Sequence, residues 1–448
     1  MSTHLFQRFF HIDSLASVMI ALVVIIGVIV VIFSSRYMKG DAHYYPFLGL
    51  LVLLIGSVVV MAGANNLWVL LAAWGVSNLL LIRLMMHESR WPAAKASGLL
   101  TAKTFLIGFI CIGCAFILLY LATEQTSIQK ILLIAPESHL VSLALALIVV
   151  GAMTQSGIWP FHRWLISSLN SPTPISAIMH AGLVNGGGFL LARFAPLYLS
   201  HPKILMIIFI VGMSTAMLGT LWKLMQHDVK RMLACSTMAQ MGFMIAQCGL
   251  GLFPAAVAHL CWHGFFKANL FLSSSSAAQE KRVAINYLPK YTSYFLAILC
   301  GFVGSIIFSM ITRISWIENN TNIILLSISF VAATQFALIL LKNPSRKYLF
   351  IAVILTILMA MLYGFSISIF QILLFPMNIS RQKPLNIFYD MGLMVLILSW
   401  IAMFFYPMLK KSKIIFPEIL LRFYVKALNA SQPHKNTITA HRNEYHVD

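Results

Sequence analysis

Residues 171–194 read SPTPISAIMHAGLVNGGGFLLARF. Two prolines, a histidine, an arginine and three consecutive glycines share one run of a chain that is otherwise apolar, and a lipid-facing helix has no use for them. Pro172 and Pro174 read as a tight re-entry that starts a new helix, where a missing N–H costs nothing. His180 falls about two turns further in, towards the middle of a membrane. Gly186, Gly187 and Gly188 let another helix approach closely. Arg193 needs a carboxylate, a carbonyl or water.

The surrounding composition sets the solvent. Of 448 residues, 60% are hydrophobic and 10% charged, with mean hydropathy +0.87, against about 25% charged in a soluble domain. Apolar runs of about 20 residues recur throughout, as bilayer-spanning helices require. The pattern predicts an all-α polytopic membrane protein with about thirteen spans, near 14–34, 46–64, 67–86, 99–122, 140–166, 174–199, 203–224, 231–252, 254–276, 292–312, 322–341, 348–374 and 389–409. The first run, Ser14 to Phe33, is too long for a signal h-region and lacks a small-residue cleavage site.

The net charge of +19 does not point to nucleic acid, because the basic residues form short clusters at every second junction instead of one face. With the N-terminus outside, 22 Lys and Arg fall in inner loops and the inner C-terminal tail, and six in outer loops. That asymmetry is the positive-inside rule, and it places the C-terminus in the cytoplasm of a cell whose inner membrane the chain spans. Residues 1–409 form the membrane domain and 410–448 a basic tail. Within the tail, IIFPEILLRFYVKAL suits an amphipathic helix on the inner leaflet, and SQPHKNTITAHRNEYHVD is expected to be disordered. Cys111 and Cys114 have redox-motif spacing but lie in a span without the fold context such a motif needs; small packing residues are the better reading.

Ionisable groups inside spans are costly and by default functional, and most of them fall between about 140 and 280. In GAMTQSGIWPFHRW (151–164), Pro160 removes a helix donor and predicts a break there, with Gln155, Ser156, His162 and Arg163 around it. Two readings stand: a cavity-lining broken helix, or a kink with Arg163 snorkelling inward. His180 titrates near neutral pH and suits a proton relay, unless a neighbouring carbonyl merely satisfies it. Asp228 and Lys230 flank the start of a span that Asp228 is placed to cap. In HLCWHGFFKANLF, His259, His263 and Lys267 recur at i, i+4 and i+8 and climb one helical stripe, a spacing that suits a polar track. Zinc binding by the two histidines lacks an evident third ligand. No Glu sits in mid-span, and nucleotide-loop, haem-attachment and Ser/His/Asp signatures are absent.

Taken together, FHRWLISSLNSPTPISAIMHAGLVNGGGFLLARFAPL, HDVKRMLACSTMAQMGFM and HLCWHGFFKANLFL resemble, in order and spacing, the proton-conducting antiporter-like family, which includes the large membrane-arm subunit of respiratory complex I and the Mrp antiporters. The resemblance covers roughly residues 12–280 and implies an antiporter-like fold with broken helices. RYMKGDAHYYPFLGLL, NLWVLLAAWGVSNLLLIRLMMHESRWPAAKASG and HAGLVNGGGFLLARFAPL look like the DabB branch, the membrane subunits of two-part inorganic carbon uptake systems. The chain starts where the third span of the complex I subunit would start and ends without its lateral helix, as that branch would.

The resemblance implies ion-conducting roles for His180 as relay, for Asp228 and Lys230 as the pair before the next helix, and for His259, His263 and Lys267 as the central axis. The family's glutamate after a tryptophan reads Gly75 or another apolar residue here, and the lysine of its broken helix reads Gln155. Those losses remove the Glu/Lys pair whose mutual pKa tuning drives pumping in the family. The expectation is a transporter subunit, not an enzyme. It passes H+ or Na+ to drive a DabA-like, zinc-dependent, carbonic-anhydrase-like partner, with no cofactor in this chain and the zinc in that partner. The alternatives are a proton-translocating subunit of NADH-quinone oxidoreductase or an Mrp-type exchanger, and a scaffold without conduction.

Overall fold

The computed structural model describes residues 9–134, 136–274, 291–341, 345–379, 384–411 and 417–438. They form helices joined by short connections: α1 (Ser14–Tyr37), α2 (Tyr44–Gly63), α3 (Leu67–Met85), α4 (Pro92–Thr123), α5 (Ile128–Ile134), α6 (His139–Ser156), α7 (Arg163–Ile166), α8 (Thr173–Ala181), α9 (Gly186–Arg193), α10 (Ala195–Leu199), α11 (Pro202–Met225), α12 (Val229–Gly249), α13 (Phe253–Leu272), α14 (Tyr291–Thr312), α15 (Asn322–Leu340), α16 (Arg346–Leu374), α17 (Ile387–Lys411) and α18 (Pro417–Ala430). Among the described residues, β structure is confined to isolated bridges.

Local chemistry sets the boundaries. Asp13 caps α1 by accepting from the Ala16 N–H at 2.8 Å, Asn66 caps α3 through the Trp68 N–H at 2.9 Å, and Asp228 caps α12 through the Arg231 N–H at 2.8 Å. Each accepts a donor that the first helical turn leaves orphaned. Pro92 and Pro202 open α4 and α11, where the missing N–H is harmless.

Among the described residues, ten helices are long and apolar enough to cross a membrane, against about thirteen spans expected of the whole chain, and the chain is a multi-pass membrane protein. The helix expected at 140–166 stops at Ser156, not at Pro160. Gly157 adopts φ +63° as a left-handed C-cap, so the glycine ends the helix one turn before the proline could. The span expected at 174–199 is also interrupted. Gly182 departs from helix at ψ −70°, and Leu183–Asn185 form a 3-10 turn that leads into α9. Cys111 and Cys114 are unbridged.

The chain divides into two compact units. The first holds residues 1–249, 259–280 and 421–448; the second holds 250–258 and 281–420. In the first, every residue of α8 and α9 is buried, so the SPTP…GGG stretch is the middle of the bundle. In the second, Phe308, Leu326 and Ile367 pack in one apolar cluster, and Cys300, Ala337 and Ala352 in another.

The tail departs from expectation. The amphipathic stretch forms a helix, α18, from Pro417, with residues 414–416 outside the described residues, and residues 431–438 are ordered. They include a 3-10 turn at Lys435–Thr437, and Ser431 and Thr437 are buried. The physical reason is long-range: four side-chain hydrogen bonds to loops at 167–170 and 226–231 hold a segment that has no local cause to order. Residues 439–448 lie outside the described residues.

Candidate functional site

The two interrupted helices satisfy each other. Where α8 breaks before α9, the Leu183 carbonyl accepts from the Gly186 N–H of the 3-10 turn, and side chains from another helix add to it. Gln155 Nε2 donates to Leu183 O at 3.3 Å, and Ser156 Oγ donates to Val184 O at 2.6 Å. Both donors come from the last turn of α6, so the break in one helix feeds the break in the other, as broken helices inside a protein require. The approach is possible only because Gly187 has no Cβ: one added there would meet Ser156 Oγ and lie 2.5 Å from the Ala152 carbonyl oxygen.

His180 ends the first half of this interrupted span. Its ring stacks on Phe271 at 4.3 Å and 12°, and its Nδ1 lies 3.1 Å from Thr237 Oγ1 on α12. Thr237 Oγ1 in turn donates to the Leu233 carbonyl oxygen at 3.0 Å. With that proton committed, the Thr237 oxygen accepts from His180 Nδ1–H. Nε2 is then the ring nitrogen without a proton.

Lys267, wholly buried, donates from Nζ to the same Leu233 oxygen at 3.0 Å. One turn before it on α13, His263 is buried with neither ring nitrogen bonded to protein. Another turn back, the His259 ring runs near-parallel to that of His263 at 6.2 Å, meets Phe243 edge-on at 5.3 Å and hydrogen-bonds the Gln240 backbone. At the start of α12, Lys230 Nζ donates to the Ser171 carbonyl oxygen at 3.4 Å. Lys230, the Leu233 carbonyl, Thr237 and the Gln240 backbone therefore mark one path along α12. Ten residues of helix carry it about 15 Å.

The expected site residues divide. Lys230, His180, Lys267, His263 and His259 gather on this path. Asp228 is exposed, caps α12 and makes no ion pair with Lys230. Gln155 serves the helix break. His162 is buried against Trp222 at 4.9 Å and hydrogen-bonds the Pro160 backbone. Arg163, at the start of α7, is exposed.

Sequence reasoning missed Thr237 and the Leu233 carbonyl. A residue seven beyond Lys230, and so on nearly the same helical stripe, was the available signal for Thr237. It also missed the partner of Arg193: Nη1 pairs with Asp13, Nη2 donates to Ala62 O at 3.0 Å, and the guanidinium lies 5.4 Å from the Phe189 ring centroid. This pair ties α9 to the start of α1 and the end of α2.

Among the described residues, the grouping of His and carboxylate atoms close enough for a metal ion is Asp41, His87 and Glu88, in the loops after α1 and α3. Asp41 and His87 already pair there at 3.0 Å. His259 and His263 gain no carboxylate or thiol neighbour of that kind.

The fold has known counterparts. The family model for the NADH:quinone oxidoreductase/Mrp antiporter transmembrane segment matches residues 64–298, and the model for the N-terminus of complex I chain 5 matches residues 6–48. A probable inorganic carbon transporter subunit DabB1 of Halothiobacillus neapolitanus is 37% identical over 281 residues, 61% of this chain and 50% of that protein. The Bacillus subtilis probable inorganic carbon transporter subunit DabB is 37% identical over 305 residues, 66% of this chain and 59% of that one. The chloroplastic NAD(P)H-quinone oxidoreductase subunit 5 of Gossypium barbadense is 34% identical over 297 residues, 64% and 40%. The chain thus spans between two fifths and three fifths of the length of these relatives. A solved Mrp complex from a Dietzia species superposes with a TM-score of 0.58 at 22% identity, covering 97% of this chain and 46% of that one; it bears on the fold alone. With a family model matching more than half of its residues, and the interrupted helices and buried cation already in place, the chain belongs to the NADH:quinone oxidoreductase/Mrp antiporter transmembrane family.

Proposed function

We propose that this chain is the membrane subunit of an energy-coupled inorganic carbon uptake complex. H+ or Na+ moves down its gradient along the Lys230–Lys267–His180–His263–His259 path. That flow biases a zinc-dependent, carbonic-anhydrase-like partner that hydrates CO2 to bicarbonate and a proton. The partner holds the zinc. The chain sits in a bacterial inner membrane, N-terminus outside and basic loops in the cytoplasm.

The observation that carries the reading is the Lys267 ammonium in a site without solvent, sharing the Leu233 oxygen with a hydroxyl that bonds His180. Ionisable groups buried together inside a membrane bundle are costly, and by default they are functional. The relatives named as DabB subunits supply the substrate class.

The second reading, a proton-translocating subunit of NADH-quinone oxidoreductase or an Mrp-type exchanger, draws on the subunit 5 relatives. Against it stand Gly75, where that family's glutamate is expected, and Gln155. Gln155 is a neutral amide bonded to Leu183 O, unable to take the place of a titrating lysine.

The test is uptake of labelled inorganic carbon in a carbonic-anhydrase-deficient bacterium expressing this chain with and without its neighbouring gene, before and after an uncoupler. Uptake that needs both proteins and collapses with the uncoupler supports the carbon reading. A stable membrane complex that accumulates nothing rejects it and promotes cation exchange.

A further inference from the structure

Residues 431–438 follow α18 and belong to the same compact unit as the polar path. Gln226 Nε2 donates to Ser431 Oγ at 2.8 Å, and Arg231 Nη1 to Gln432 Oε1 at 3.2 Å. The His434 N–H donates to Ser167 Oγ at 3.0 Å, and Asn170 Nδ2 to the Thr437 carbonyl at 2.8 Å. The segment folds back on itself through Thr437 Oγ1, which donates to His434 O at 2.6 Å. Ser431, Pro433 and Thr437 are buried beneath it.

Its anchor points are not scattered. Gln226 and Arg231 bracket Asp228 and Lys230 at the start of α12, and Ser167 and Asn170 lie in the loop that leads through Ser171 into α8. Ser171 is where the path begins, through Lys230 Nζ on its carbonyl oxygen. The segment therefore lies across the end of the path at which α12 starts. The bonds that hold it also suit release. All are between neutral groups except that from Arg231, and each replaces a bond to water for a small net gain. Ordering a polar segment costs conformational entropy. Undocking removes no helix contact within α6–α13.

We propose that residues 431–438 are a strap that closes the α12 end of the buried path, and that its undocking opens that end to water and ions. The consequence for flux rests on the conducting reading above; the closure itself does not.

The experiment places a cysteine at the covered end, Ser171→Cys, and follows its modification by a charged, membrane-impermeant methanethiosulfonate in the purified full chain. The same chain without that cysteine supplies the background from the six native thiols. Ending the chain after Ala430 raises the Ser171→Cys modification rate at least tenfold. The double change Asn170→Ala with Gln226→Ala, which removes two ties and no chain, raises it severalfold and stands in if the truncated chain does not purify folded. Equal rates in the full and altered chains overturn the strap. Proton flux in proteoliposomes, read in parallel, separates the two ideas: fast modification with no flux in any form keeps the strap and rejects conduction.

Discussion

Lys267 Nζ donates to the Leu233 carbonyl oxygen at 3.0 Å, across two helices and with no part of its side chain exposed. That oxygen already closes an α-helical turn and accepts from Thr237, so it serves as a polarised hub for a cation with no carboxylate partner.

Replacing this ammonium separates function from stability. Lys267→Met keeps most of the side-chain length and removes the cost of burying an unpaired ammonium. It should lower gradient-driven uptake at least tenfold while the melting temperature in detergent stays level or rises. Uptake and thermal melts on the same preparations check both halves.

Thr237 is the link between His180 and the hub. Thr237→Val preserves shape but leaves His180 Nδ1 and Leu233 O each short of a partner. Stability should fall by about 1–2 kcal/mol and flux severalfold, and Thr237→Ser should restore most of both. The ranking Thr ≈ Ser > Val in proteoliposome flux is the readout.

Arg193, buried, pairs with the partly buried Asp13. Removing one partner leaves the other charge unmatched, at a cost of about 3 kcal/mol or more. Asp13→Asn, whose single amide oxygen cannot serve both the Ala16 N–H and the guanidinium, leaves the buried Arg193 charge unmatched. Arg193→Ala removes the guanidinium from both Asp13 and Ala62 O, so each should melt markedly lower than the unaltered chain. Comparison of the two melting curves with that of the unaltered chain tests the assignment.

At the crossing of the interrupted helices, neighbouring glycines are not equivalent. An added methyl at Gly187 runs into the Ala152 carbonyl oxygen at 2.5 Å, whereas at Gly186 its nearest neighbour is the side-chain Cγ of Gln155 at 3.3 Å. Gly187→Ala should cost about 1–3 kcal/mol through overpacking, and Gly186→Ala clearly less. Equal losses would contradict the packing.

The loops after α1 and α3 carry a pH signature. The hydrogen bond from His87, with that from the His43 N–H, holds the Asp41 carboxyl below its ordinary range. A carboxylate with a depressed folded pKa adds stability that is complete above its unfolded pKa of about 3.9 and is lost as pH falls through the lower folded value. The difference in unfolding free energy between wild type and Asp41→Asn should vanish in acid and amount to about 1 kcal/mol at neutral pH, the scale of a pair near the surface.

Much of this was legible in the chain itself. Hydropathy and charge asymmetry established a membrane bundle, because the cost of placing a residue in lipid is local to that residue. The i, i+4, i+8 spacing of His259, His263 and Lys267 put them on one stripe, because helix geometry is fixed by the backbone. Asp228 as a cap follows from the same short-range chemistry.

What the tertiary structure decided is everything that depends on which helix stands next to which. Thr237 and Leu233 became the partners of His180 and Lys267 across separations of 57 and 34 residues, and Arg193 met Asp13 from 180 residues away. The break after His180 is stable because Gln155 and Ser156 arrive from another helix to occupy its carbonyls, so no local signal marked it as clearly as proline seemed to mark 160. The strap orders because loops more than 200 residues earlier offer it donors and acceptors. Hydropathy and helical period are properties of neighbouring residues and can be read along the chain; hydrogen-bond partners inside a bundle are chosen by packing, which exists only once the helices have met.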